Sequence, residues 1–263
     1  MKKIFKGLLT FFATVILVSC GAKNSENKLV IGVSPVPHKE LVELVKDDLK
    51  AQGINLEIVE FNDYVQPNLA LKEKSLDANF FQHVPYMESF GKENNIDLVS
   101  AGAIHLEPLK IYSDKLKSID ELAQGAQVLI PNDPTNRGRA LILLENAGLI
   151  TLKDNKKLDS NVEDIAENKK NLSITTLNAE QIGPRISEVD IAVINTNIAL
   201  ASKIEKEKAI YVEGKDSPYA NIVAVLKGQE NSEKIKKLMS ALQSEKVKNY
   251  INKKYNKEIV PAF

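Results

Sequence analysis

The segment Pro131-Asn132-Asp133-Pro134-Thr135-Asn136-Arg137-Gly138-Arg139-Ala140-Leu141 follows an apolar run and crowds amides, a carboxylate and two guanidinium groups into one turn. Its Asn, Asp, Pro and Thr residues are turn and N-cap types, and Leu141 to Leu144 begin a helix body. Arg139 is therefore expected in or near the first helical turn. The helix dipole disfavours a cation there, whereas an Arg fork beside free backbone N–H groups can receive a carboxylate bidentately. An anion pocket explains the residue economically; pairing with a structural acid, or pointing to solvent, is the plainer reading.

A second cluster, Phe80-Phe81-Gln82-His83-Val84-Pro85-Tyr86, places aromatic rings and an amide where a strand stops and a helix begins, and Tyr64 follows another strand in Phe61-Asn62-Asp63-Tyr64. Such rings either fill a core or form walls suited to an apolar or thioether side chain, since sulfur and aromatic faces attract by about 0.3 to 1.5 kcal/mol per contact. A third group comprises Asn195 and Asn197 at the end of the apolar strand Ile191 to Ile194, with Asn221 before the run Ile222 to Leu226. Asparagine offers both donor and acceptor, which a zwitterion requires, although asparagine is also a common turn former.

No GxSxG elbow, P-loop, HExxH or glycine-rich dinucleotide fingerprint is present, so nothing points to an enzyme or a cofactor. His38, His83 and His105 are each more than twenty residues apart, unlike the tight ligand spacing of zinc sites. Lys+Arg and Asp+Glu both number 35, which removes the basic excess expected of a nucleic-acid binder. At 263 residues and 43% hydrophobic, the chain can bury a core without disulfides, which its single cysteine could not form internally.

Short apolar runs alternating with helix-period segments must position these groups. Leu29 to Val33, a helical Leu41 to Leu49 and Leu56 to Phe61 form a βαβ unit. Further strands are expected at 78–81, 98–104, 109–112, 127–130, 174–177, 191–194, 209–212 and 221–226. The pattern predicts an α/β class with parallel-rich sheets, and about ten strands favour two lobes with a cleft between them. Ile235, Leu238, Met239 and Leu242, then Val247, Tyr250 and Ile251, mark C-terminal helices packing one face. The polar stretch 153–171 reads as a solvated loop and helix face.

The N-terminus, Met1 to Lys6 followed by the uncharged run Gly7 to Val18, has the pattern of a signal peptide over 1–19 and is too short to span a membrane. Leu17-Val18-Ser19-Cys20-Gly21 resembles a bacterial lipobox, so Cys20 is the expected lipidation site and 20–28 a lipidated tether. Removing 1–19 removes three lysines, leaving 32 basic against 35 acidic side chains and no polybasic membrane-binding face.

Taken in order, this N-terminus and the motifs FNDYVQPNLAL, LDANFFQHVPYM, IPNDPTNRGRALILL, DIAVINTN and SPYANIVAV closely resemble the NlpA/MetQ lipoprotein family along the whole mature chain. The resemblance implies a two-lobed type II periplasmic-binding-protein fold, each lobe a mixed sheet flanked by helices, with lobe 1 formed by 29–110 and 214–263 and lobe 2 by 111–213. It implies the substrate-binding component of a methionine ABC importer: a lipid-anchored monomer at the cell membrane, facing the periplasm or the exterior, which hands L-methionine to a permease with a cytoplasmic ATPase. Carried over by motif, Tyr64, Phe81, His83 and Tyr86 wall the ligand side chain and Arg139 clamps its carboxylate. Asn195 and Asn221, with Asn136 and Asn197 as weaker candidates, hold the amino-acid backbone. D-methionine or a methionine dipeptide fits the same motifs. A metal-binding surface lipoprotein using His83 and His105 with a carboxylate is the alternative from another class.

Overall fold

A computed structural model describes residues 27–214, 217–256 and 258–263. The expected signal peptide, Cys20 and the tether as far as residue 26 lie outside the described residues.

Two mixed sheets carry the chain. Strands β1 (Lys28–Val33), β2 (Asn55–Glu60), β3 (Ala78–His83) and β4 (Leu98–Leu106) belong to the first, which the chain then leaves. The second takes β5 (Lys110–Tyr112), β6 (Gln127–Pro131), β9 (Ser173–Leu177), β10 (Ile191–Ile194) and β11 (Ala209–Val212), with the small pair β7 (Thr151–Leu152) and β8 (Ile165–Glu167) beside it in sequence. The chain returns to the first sheet as β12 (Ala220–Leu226) and β13 (Val260–Pro261). The orders are β13-β4-β12-β3-β1-β2 and β11-β5-β10-β6-β9. Glu107 to Leu109 and Glu213 to Tyr219 are thus the two crossovers.

The class expected from the sequence holds, but the parallel-rich expectation does not. β1 pairs parallel with β2 and β3, whereas β12 runs antiparallel to both β3 and β4; likewise β6 pairs parallel with β9 and β10, while β5 runs antiparallel to β10 and β11. Periodicity reports which residues are apolar, and a returning strand buried on both faces reads the same in either direction.

Helices cover the sheets: α1 (Glu40–Leu44), α2 (Lys46–Ala51), α3 (Gln66–Lys72), α4 (Val84–Asn94), α5 (Pro134–Asn146), α6 (Ala179–Ile182), α7 (Thr196–Ala201), α8 (Glu233–Leu242) and α9 (Glu245–Tyr255). None of them is long and apolar enough to cross a membrane. The register Leu29↔Leu56 and Ile31↔Ile58 stacks apolar side chains under α2, α8 and α9, whose Leu49, Ile235, Leu238, Leu242, Val247 and Ile251 complete the first core. A separate core surrounds β6 and α5, with Val128, Ile130, Leu141 and Leu144 at its centre. The polar stretch 153–171 is a loop with one turn of 3-10 helix at Val162–Asp164 and contributes β8; the helix face expected there is absent, because too few apolar residues recur to hold one against a core.

Candidate functional site

All nine residues singled out from the sequence, Tyr64, Phe81, His83, Tyr86, Asn136, Arg139, Asn195, Asn197 and Asn221, line one narrow cavity between the sheets. Gln82, Glu107 and Thr196 complete the wall.

The aromatic side rises from the β3–α4 junction. His83 caps α4, its Nδ1 accepting the Tyr86 backbone N–H at 3.2 Å. This leaves Nε2 as the protonated nitrogen, donating to Asn136 Oδ1 at 3.3 Å. Burial, together with the Arg139 charge, pushes the His83 pKa down to about 3, so the ring is neutral. Phe81 and Tyr86 meet edge to face at 5.9 Å between centroids, and Tyr64 lies 5.9 Å from Phe81. Beneath them Asn68, Asn79 and Gln82 exchange four side-chain amide hydrogen bonds of 2.7–2.9 Å, which fix β3 against α3.

On the facing side, Asp133 caps α5 by accepting the Asn136 backbone N–H at 2.9 Å. The Asn136 carboxamide is spent as well: Nδ2 donates to both Asp133 oxygens, while Oδ1 accepts from Asn195 Nδ2 at 2.8 Å and from His83. Asn136 therefore acts as a spacer with no free polar atom. Asn195, its Nδ2 committed, leaves Oδ1 buried without a hydrogen-bond partner among the described residues. An unpaired buried acceptor costs about 1–3 kcal/mol, so a donor is expected to meet it.

Arg139 lies in the second turn of α5, near the first turn as expected, although the side chain of Asp133 already takes one first-turn N–H, that of Asn136. Moreover, its bidentate edge is occupied: Nε and Nη2 both donate to Glu213, and Nη2 also donates to the Glu107 carbonyl at 2.9 Å. The guanidinium stacks 4.2 Å over the Tyr219 ring. Nη1 alone has no hydrogen-bond partner among the described residues, so the fork expected from the sequence is reduced to one nitrogen.

Glu107 was missed in the sequence because it stands in the crossover, outside any element end that was weighed. Its Oε1 accepts from His105 Nε2 at 2.7 Å and its Oε2 from the Asn197 backbone N–H at 2.9 Å. Burial opposes ionisation, but these hydrogen bonds and the adjacent imidazoles hold the carboxyl below its ordinary range. Arg139 and Glu213 neutralise each other, leaving Glu107 as a negative charge at the cavity wall. Asn197 also accepts the Tyr64 hydroxyl at 2.7 Å, joining the start of α7 to the loop after β2.

The histidines pair differently from the metal alternative. His105 meets His38, with ring centroids 5.0 Å apart, while His83 sits with Asn136. His38, His105 and Glu107 bring ligand-type atoms within 4.8 Å of one another. A metal would need both Nε2 lone pairs and a partner for each opposite N–H. Here each Nε2 faces an acceptor oxygen, and both Nδ1 atoms are sealed without any partner. The donor set does not fit a metal.

A family model described as NlpA lipoprotein matches residues 29–263. The chain belongs to the NlpA lipoprotein family. The chain is similar to the methionine-binding lipoprotein MetQ of Bacillus subtilis (strain 168), 41% identical over 273 residues and covering 100% of this chain and 99% of the relative. The D-methionine-binding lipoprotein MetQ of Escherichia coli O157:H7 is 39% identical over 259 residues, covering 97% and 96%. Among solved structures, a nutrient binding protein from Burkholderia cenocepacia bound to methionine matches with a TM-score of 0.86 at 42% identity, over 89% of this chain and 100% of that one.

Proposed function

We propose that this chain is the substrate-binding lipoprotein of a methionine ABC importer, enclosing L-methionine or a close derivative and passing it unchanged to a permease with a cytoplasmic ATPase. In this reading its lobes are 29–110 with 214–263 and 111–213, a division that the two separate sheets support, and Cys20 is its lipid anchor, holding a monomer at the membrane and facing the periplasm or exterior. The observation that carries the reading is the stranded Asn195 Oδ1, an acceptor suited to an ammonium, in a wall that also offers Arg139 Nη1 to a carboxylate. The Glu107 charge favours the ammonium further, and Tyr64, Phe81 and Tyr86 supply faces for the thioether. The methionine names and the bound methionine of the relatives support the ligand class.

Closure follows from differential affinity, because Tyr64, Phe81 and Tyr86 belong to one lobe and Arg139 and Asn195 to the other. Calorimetry on the mature chain with Cys20→Ser tests the reading. Micromolar or tighter binding of L-methionine, D-methionine or a methionine dipeptide is expected, and binding of none of them refutes it. Native mass spectrometry of the purified protein should retain a mass near that of the same ligand rather than a metal.

A further inference from the structure

His38 does not line the cavity, yet among the described residues its polar contacts reach just two, both of which do. Its Nε2 lies 3.0 Å from Asn221 Oδ1 and 3.6 Å from Glu107 Oε1. The ring is fully buried, edge-on to Phe80 at 4.6 Å and beside His105. Which nitrogen carries its proton follows from these neighbours. A lone pair on Nε2 would face an ionised carboxylate and leave an N–H on Nδ1, which is sealed without a partner. A proton on Nε2 satisfies the donor and leaves only an unpaired acceptor, the lesser cost. His38 is therefore a donor to Asn221.

That donor fixes the carboxamide of Asn221 one way round: Oδ1 toward His38, Nδ2 away from it. Asn221 lines the cavity, and its Nδ2 has no hydrogen-bond partner among the described residues. Asn195 is fixed the opposite way, because Asn136 holds its Nδ2 and leaves Oδ1 free. Two asparagines of the same type thus present opposite polarities, and each orientation is imposed by a residue behind it.

We propose that His38 is a positioning residue which sets the hydrogen-bond polarity of Asn221, so that the cavity offers a donor there and selects ligands with a free carboxylate over those with a carboxamide in its place. The inference rests on reading the cavity as an amino-acid site. His105 holds Glu107 in the same arrangement, so the carboxylate that decides the His38 tautomer is itself fixed.

The test is the ratio of methionine to methioninamide affinity, measured by calorimetry on the mature chain with Cys20→Ser. His38→Leu removes the donor and frees the Asn221 amide to turn its oxygen toward an amide NH₂, so the ratio should fall about tenfold, and His38→Gln, which keeps an N–H donor, should restore most of it. A purely structural histidine would weaken both ligands alike and leave the ratio within twofold, which overturns the proposal. In an Asn221→Ala background, His38→Leu should change the ratio no further. Should His38→Leu not fold, NMR on the unsubstituted protein decides: the Asn221 side-chain NH₂ should show cross-relaxation with bound methionine, and cross-relaxation with the His38 ring instead overturns the proposal. If the unsubstituted protein binds neither ligand, the reading of the cavity itself falls, a result distinct from an unchanged ratio.

Discussion

Replacing Arg139 separates what this side chain does for the fold from what it does for a ligand. In Arg139→Ala the Glu213 carboxylate, only 14% exposed, loses both guanidinium nitrogens, the Glu107 carbonyl loses its donor, and the Tyr219 ring loses its cation. Removing one partner of a buried ion pair costs about 3–5 kcal/mol, because the other charge is stranded. Glu213 keeps the Leu109 backbone N–H at 3.0 Å and some solvent contact, which places the expected loss of unfolding free energy near the lower end, about 3 kcal/mol. A ligand carboxylate would lose one charge-assisted hydrogen bond, about 1.5–3 kcal/mol, or roughly 10- to 150-fold in Kd. Arg139→Ala/Glu213→Ala removes the stranded charge, so about 1–2 kcal/mol of stability should return while the affinity stays lost. Urea unfolding reads the first quantity and calorimetry with L-methionine the second. Equal stability of the single and double variants would refute the stranded-charge argument, and parental affinity in Arg139→Ala would refute the carboxylate assignment.

Tyr64→Phe deletes the 2.7 Å bond to Asn197 that joins the loop after β2 to the start of α7, and should weaken methionine binding about fivefold, a loss of about 1 kcal/mol, in calorimetry. His38 and His83 are held neutral by burial, with pKa values lowered from 6.5 to about 4 and about 3, so the unfolded chain binds more protons as pH falls below 6.5. No stability is lost on their account above pH 6.5; below it the loss grows at roughly 1.4 kcal/mol per pH unit each and amounts to about 3 kcal/mol each by pH 4. Urea midpoints at pH 7, 5.5 and 4 should fall accordingly, and constant midpoints would contradict neutral buried rings. Gly138→Ala would normally favour a helix, but a Cβ there overlaps the backbone carbonyl of Leu158, which cannot swing aside as a side chain would. Thermal unfolding should show a loss of at least about 2 kcal/mol.

The cavity's wall was legible because strand-end amides and aromatics are unusual enough to stand out singly: Tyr64, Phe81 and His83 follow or end recognisable strands. What those atoms do was not legible. Asn136 and Asn195 are alike in type and setting, yet one is consumed by Asp133, His83 and Asn195 while the other keeps a free oxygen. That difference depends on partners 53 and 59 positions away in the chain. Glu213 and Tyr219 escaped notice because a lone acid or ring in a crossover carries no periodic signal, and only their convergence on Arg139 gives them meaning. Ten of the strands were visible in composition, whereas β7, β8 and β13, two or three residues long, exist through pairing alone.

The placement of β12 between β3 and β4 has a consequence for how the protein is made. Every strand of the second sheet lies within residues 110–212 and emerges from the ribosome as one continuous stretch, but the first sheet cannot close until residues 220–226 arrive. Until then β3 and β4, neighbours in synthesis, lack the strand that lies between them and have no ladder to share. In N-terminus-first synthesis the strands of the second sheet are therefore all available before those of the first, although the first sheet holds the earliest strands of the chain.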